Sequence, residues 1–283
     1  MSSEARPVSP AVEAFRALHE SSCFVMPNPW DVGTALYLER LGFKAIATTS
    51  SGFAFSRGLP DSTAAVPLEA MLGHIGDIVR AASVPVNADF LSGYADEPEG
   101  VAANVTLCVA TGAAGLSIED STGDDATPLY ERTLAIERVR AARSAIETTG
   151  SQVVLTARCE AWLVGDPDPA RTALDRLVAF ADAGADCLYA PGVTDPGQIA
   201  TIVKAVAPKP VNVLVSSPVL GLSVAVLADL GVRRISVGSG LARVAWGAFV
   251  RAATGLVENG TFDGFAGSMS HAELDAFFRE RLG

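Results

Sequence analysis

The sequence predicts an α/β fold in which strands and helices alternate, either a (β/α)8 barrel or a doubly wound open sheet. Three observations predict it. Short β-rich runs bounded by turn residues recur eight times. Amphipathic stretches of helical spacing lie between them, and several of these helices end on a glycine that leads straight into the next strand.

Taken in order, the runs are Phe24–Met26, Ala45–Thr48, Val84–Ala88, Gly115–Ile118, Val153–Thr156, Asp186–Tyr189, Val211–Leu214 and Arg234–Val237. Eight is the number that closes a parallel barrel. The stretch from Ala170 to Ala183 shows the intervening pattern, with Leu174, Leu177, Val178 and Phe180 at helical spacing and Arg171, Asp175 and Arg176 on the other face. Leu41-Gly42-Phe43, Ala183-Gly184-Ala185 and Leu230-Gly231-Val232 supply the helix-ending glycines. No G-x-G-x-x-G follows the first strand, which weakens the dinucleotide-binding form of the open sheet. After the eighth strand, Leu241–Val257 reads as a further helix. Ser270-His271-Ala272-Glu273 opens a last one as a capping box, ending near Leu282. Its apolar residues Leu274, Phe277 and Phe278 need cover from the barrel or from another subunit. With no low-complexity linker, residues 1–283 are expected to form one barrel domain, with a flexible start at 1–10 and a helical extension at 258–283.

Composition narrows the function. The chain has 283 residues, 49% hydrophobic and 19% charged, so a large core can be buried and disorder is not indicated. A net charge of −11 repels phosphate backbones and anionic lipid heads, which argues against nucleic-acid and membrane partners. No apolar run approaches membrane-span length and the first residues lack a signal peptide's apolar region, so a cytoplasmic protein is expected. Four cysteines without a C-x-x-C pair indicate neither a zinc site nor a disulfide framework. The histidines His19, His74 and His271 sit in helix-like polar contexts, poor material for a Ser-His-Asp triad. None of the three lysines is placed as a Schiff base.

Carboxylates and arginine gather where strands end, the face on which barrel enzymes do their chemistry. Asn28 and Asp31 follow the first strand, Thr49 to Gly52 the second, and Asp89 the third. Glu119 and Asp120, then Arg158 and Glu160, follow the next two, with Asn212 and Ser239 towards the end. An isolated acidic residue here most simply caps the next helix. Asp89, Glu119 and Arg158 together point instead to a hard divalent cation beside an anion-binding guanidinium. The Gly-containing turn Ser50–Ala54 adds backbone amides able to hold a carboxylate or enolate oxygen, although a plain loop is the simpler reading of that segment alone.

Six motifs in consecutive order resemble the isocitrate lyase/phosphoenolpyruvate mutase superfamily. They are Pro27-Asn28-Pro29-Trp30-Asp31, Thr48–Phe53, Gly58-Leu59-Pro60-Asp61, Val86-Asn87-Ala88-Asp89 with Gly93-Tyr94, Ser117-Ile118-Glu119-Asp120 and Thr156–Ala161, within residues 20 to 245. The resemblance implies a (β/α)8 TIM barrel whose C-terminal helix is exchanged between subunits of a homodimer or homotetramer. It implies a small 2-oxo acid substrate and Mg²⁺, or alternatively Mn²⁺. By motif, Ser51, Gly52 and Phe53 would grip the substrate carboxylate, Arg158 would pair with its oxygens, and Asn212 would join them. Asp61, Asp89, Asn87 and Glu119 would hold the metal, with Arg158, Asp61 and Glu119 in catalytic roles. A cation and a guanidinium are what a developing enolate oxygen requires.

Two departures qualify the reaction. Asn87 stands where the family commonly has an aspartate ligand, and an amide oxygen supplies no charge. The lyases' Lys-Lys/Arg-Cys-Gly-His loop is replaced by Ser121–Thr127, without thiol, lysine or histidine, and the mutases' lysine and asparagine are missing there too. The implied activity is Mg²⁺-dependent C–C cleavage, decarboxylation or hydrolysis of an oxaloacetate-like substrate. A P–C bond mutase with Arg57 or Arg132 near the phosphonyl group, and a 2-oxo acid-binding protein that has lost catalysis, are the alternatives. Gly123–Pro128 is a candidate flap, with Asp124 or Asp125 as a possible proton donor, and Cys159 is expected to be structural.

Overall fold

A computed structural model describes residues 8–280. In chain order the elements are α1 (Pro10–Glu20), β1 (Phe24–Met26), α2 (Val32–Arg40), β2 (Ile46–Ala47), α3 (Ser50–Ser56), α4 (Leu68–Ala81), β3 (Val86–Asp89), α5 (Pro98–Ala110) and β4 (Gly115–Glu119). Then come α6 (Arg132–Thr149), β5 (Val154–Arg158), α7 (Pro169–Asp182), β6 (Cys187–Tyr189), α8 (Pro196–Val206), β7 (Val211–Leu214), α9 (Val224–Asp229), β8 (Arg234–Ser236), α10 (Gly240–Asn259) and α11 (His271–Arg279). The expected flexible start falls, for residues 1–7, outside the described residues, as do 281–283 beyond the last helix; Pro10 already opens α1.

All strand pairs are parallel, in the order β1-β8-β7-β6-β5-β4-β3-β2. The ring closes because the Ala47 amide donates to Pro27 O at 3.0 Å, joining β2 to the residue after β1. Asn28 reinforces the seam: its Oδ1 accepts from the amides of Val237 and Gly238, and its Nδ2 donates to Thr48 O. This is the (β/α)8 barrel, and the open sheet is excluded. Strands are short and side chains alternate. Leu116, Ile118, Leu155, Ala157, Leu188, Val213 and Ile235 are buried in the apolar core, while Ser117, Glu119, Arg158, Tyr189, Asn212 and Ser236 line the interior cavity. The third strand begins at Val86, two residues later than expected, and β2 is only two residues long.

The chain divides into two compact units, up to Leu241 and from Ala242. Within the second, α11 opens on the expected capping box of Ser270 and Glu273. Val244, Trp246, Phe249, Val250 and Val257 of α10 and Leu274 and Phe278 of α11 are exposed. No helix among the described residues is long and apolar enough to cross a membrane.

Candidate active site

The register places chemistry side by side. Glu119 pairs with Arg158 across β4 and β5, and Arg158 with Tyr189 across β5 and β6, so three interior side chains stand at one level of the C-terminal mouth. They line a cavity of about 330 Å³ shared with Asn28, Ser50, Ser51, Asp61, Asn87, Asp89, Glu160, Asn212, Arg234 and Ser236.

Arg158 is its hub. Nη1 donates to Asp89 Oδ1 at 2.8 Å, Nη2 lies 3.1 Å from Glu119 Oε2, and Nε donates to Glu160 Oε1 at 2.9 Å. Its carbon centre lies 5.1 Å from the centroid of the Tyr189 ring. Burial works against the charged guanidinium, but Glu160, Glu119 and Asp89 more than offset it, so Arg158 remains protonated. Asp89 is fixed from the other side, where Oδ2 accepts from both the amide and the hydroxyl of Ser50 at 3.0 Å. Burial raises the Glu119 carboxyl well above the ordinary carboxylate range against the pull of Arg158, and raises Glu160 in the same sense. Asp61 sits at the mouth, where partial burial of its carboxyl and the neighbouring Asp89 charge raise its pKa to about 6. Burial also raises the Tyr189 phenol, to about 12.

The segment expected to offer amides is the N-terminus of α3 rather than an open turn. Thr49 caps it, taking the Gly52 amide on its hydroxyl at 3.2 Å and the Phe53 amide on its carbonyl at 3.0 Å. Those two amides are therefore engaged within the helix. Ser51 lines the cavity, whereas the Phe53 ring stacks on His74 with centroids 4.0 Å apart, away from it. Asn212 faces the cavity, donating through Nδ2 to Ser236 Oγ and accepting on Oδ1 from Arg234 Nε, each at 2.9 Å.

Ser239 also lines the cavity, whereas Asp31 and Asp120 at other strand ends are structural. Asp31 caps α2 in a capping box, and Asp120 pairs with Arg176 at 3.0 Å while accepting from the Glu160 amide. Asp124 uses its carboxylate on the Ala126 amide and the Thr127 hydroxyl within a loop closed by a Ser121–Leu129 bridge. Arg132 pairs with Asp175, and Arg57 lies over the Phe53 ring; neither lines the cavity. Cys159 is buried and lies outside the lining. His19 and His74, read as polar helix positions, are buried instead, because each faces aromatic rings of the barrel unit.

Arg234, Tyr189 and Ser236 line the cavity although sequence reasoning passed over them as strand residues. The available signal was alternation: in the run Arg233-Arg234-Ile235-Ser236, an outward Ile235 turns Arg234 and Ser236 inward.

Asp61, Asp89, Glu119 and Glu160 face one guanidinium at the mouth, a surplus of negative charge built from hard oxygen donors, which fits a divalent cation in charge and type. The buried Asn87 Oδ1 has no hydrogen-bond partner. Among the described residues no three His, Cys, Asp or Glu side chains are already gathered as a ligand shell, and Arg158 stands among the carboxylates as their counter-ion.

Comparison with known proteins agrees with this architecture. The family model described as phosphoenolpyruvate phosphomutase matches residues 15–257. An uncharacterized protein of Mycobacterium tuberculosis is 36% identical over 227 residues, covering 78% of this chain and 80% of its own length. A solved structure from Burkholderia cenocepacia, described at the level of a lyase or mutase, is 47% identical with a TM-score of 0.91, covering 95% of this chain and 96% of that one. Oxaloacetate acetylhydrolase in complex with its product oxalate is 26% identical with a TM-score of 0.83, covering 96% of each chain.

Proposed function

Because the chain belongs to the phosphoenolpyruvate phosphomutase family, and is thus an enzyme of the isocitrate lyase/phosphoenolpyruvate mutase superfamily, we propose that it is a Mg²⁺-dependent carbon–carbon lyase acting on a small 2-oxo carboxylate through an enolate. The observation that carries this reading is the guanidinium held by three carboxylates at the barrel mouth, with Asp61 beside them. Asp61, Asp89 and Glu119, with the Asn87 amide oxygen, would hold the cation. Bound there, it supplies electrophilic charge to the oxo group on which the enolate develops.

The chain's own groups do the rest. Ser51 at the α3 N-terminus and the Asn212 amide orient the carboxylate, and Arg158 keeps a fixed positive charge beside the reacting carbon. In an oxaloacetate-like substrate, breaking the bond between C3 and its carboxylate releases CO2 and leaves the electron pair in the C2–C3 enolate, and a proton must then reach C3. The Tyr189 Oη, still protonated at pH 7 and beside Arg158, is the proton-holding group of the cavity wall. The P–C mutase reading is disfavoured because Arg57 and Arg132, its candidate phosphonyl partners, do not line the cavity. Assay of oxaloacetate consumption with Mg²⁺ and with EDTA tests the proposal. Turnover abolished by chelation is expected; turnover unaffected by chelation would remove the metal from the account, and no consumption of oxaloacetate or other small 2-oxo acids would remove the activity.

A further inference from the structure

Below the carboxylate cluster the barrel holds a second guanidinium. Arg234 is 1% exposed and lines the cavity floor. Nε donates to Asn212 Oδ1 at 2.9 Å, Nη2 to Thr156 Oγ1 at 2.9 Å, and Nη1 lies 3.2 Å from His19 Nε2. Every one of these partners is neutral. His19 is fixed in one tautomer: its Nδ1 lies 2.7 Å from the acceptor-only Phe15 O and so carries the proton, leaving Nε2 to accept from the donor-only arginine. Burial and the Arg234 charge hold His19 at a pKa of about 3, so it stays uncharged at neutral pH.

Arg158 and Arg234 therefore differ in kind. Arg158 has three carboxylates in contact, whereas no carboxylate contacts Arg234 among the described residues. Three of its five N–H groups are engaged, which leaves two without an acceptor among the described residues. Buried charges are ordinarily paired, because an unpaired one bears its full desolvation penalty. The cavity's uncompensated positive charge thus lies at its floor. Thr156, which holds the guanidinium, is two residues before Arg158 on β5, a step of about 6.6 Å down the barrel.

We infer that Arg234 is an anion subsite at the cavity floor, receiving the inner carboxylate of a ligand that is anionic at both ends. This rests on the proposed 2-oxo carboxylate reading for the ligand's outer end. His19 allows the charge to be cancelled from α1 without altering a cavity-lining residue: His19→Glu places a carboxylate against Nη1, and His19→Gln keeps a neutral acceptor. Titrating malonate, oxalate and inorganic phosphate into each protein with Mg²⁺ present, the wild type and H19Q should bind malonate within about threefold of each other, and H19E at least tenfold more weakly. Equal affinity in H19E and H19Q would overturn the subsite while leaving the proposed function standing. If phosphate binds, is lost in H19E, and neither carboxylate binds, the subsite stands and the 2-oxo carboxylate reading falls. A wild type that takes up none of the three anions overturns the inference. Should H19E fail to fold, Arg234→Met must lose at least tenfold in malonate affinity where Arg234→Lys loses less; wild-type affinity in R234M would overturn it equally.

Discussion

Arg158 touches three carboxylates, so its removal has a consequence for stability as well as for binding. Arg158→Ala would leave Asp89, Glu119 and Glu160 facing one another in a buried mouth, and breaking such a buried pairing costs about 3–5 kcal/mol. Urea unfolding at pH 7 should show that loss, and at pH 5 part of it should return as the abandoned carboxylates take up protons. A deficit below about 1 kcal/mol, constant with pH, would mean the cluster is not the coupled unit its geometry describes. Asn87 was legible as a departure from the family pattern, but the burial of its unpartnered Oδ1 was not, since that depends on the adjoining strand.

At the scale of elements, α1 does more than precede the barrel. It carries Phe15 and His19 against the strands, with Phe15 fully buried and the His19 ring edge-on to Phe15 and Phe24. Burial and the Arg234 charge hold His19 at about 3 in the fold against an ordinary 6.5, so the unfolded chain binds more protons between those limits. The stability His19 contributes is therefore present above pH 6.5 and is lost as pH falls towards 3. Between pH 7 and pH 5 that is about 2 kcal/mol, so His19→Gln, which has nothing to titrate, should lose about that much less stability than the wild type over the same interval. Parallel pH-stability curves for the two proteins would show that His19 is not held neutral. None of this was legible in the sequence, where His19 stands between Leu18 and Glu20 in an amphipathic helix whose buried face is defined only by the barrel it covers. The Ser50–Phe53 segment misled in a similar way: its residues suit a turn, and the Thr49 cap makes it a helix start that keeps two of the expected amides for itself.

For the whole molecule, the eight strands and the strand-end positions of Asp89, Glu119 and Arg158 were legible because alternation and turn residues are local signals. What α10 and α11 pack against was not, because an apolar helix face does not name its partner. The family resemblance implies a homodimer or homotetramer, and the exposed Trp246, Phe249 and Val250 on α10 are the apolar residues such a contact would bury. Sedimentation should give an oligomer that Trp246→Asp with Phe249→Asp converts towards monomer; a monomeric wild type would refute that part of the account. A divalent cation that balances the carboxylates of the mouth should strengthen its hold on an enolate-like anion. Calorimetric titration with oxalate, with and without Mg²⁺, tests it most directly. Binding at least tenfold tighter with Mg²⁺ is expected, and an oxalate affinity indifferent to the metal would mean that these carboxylates hold no cation.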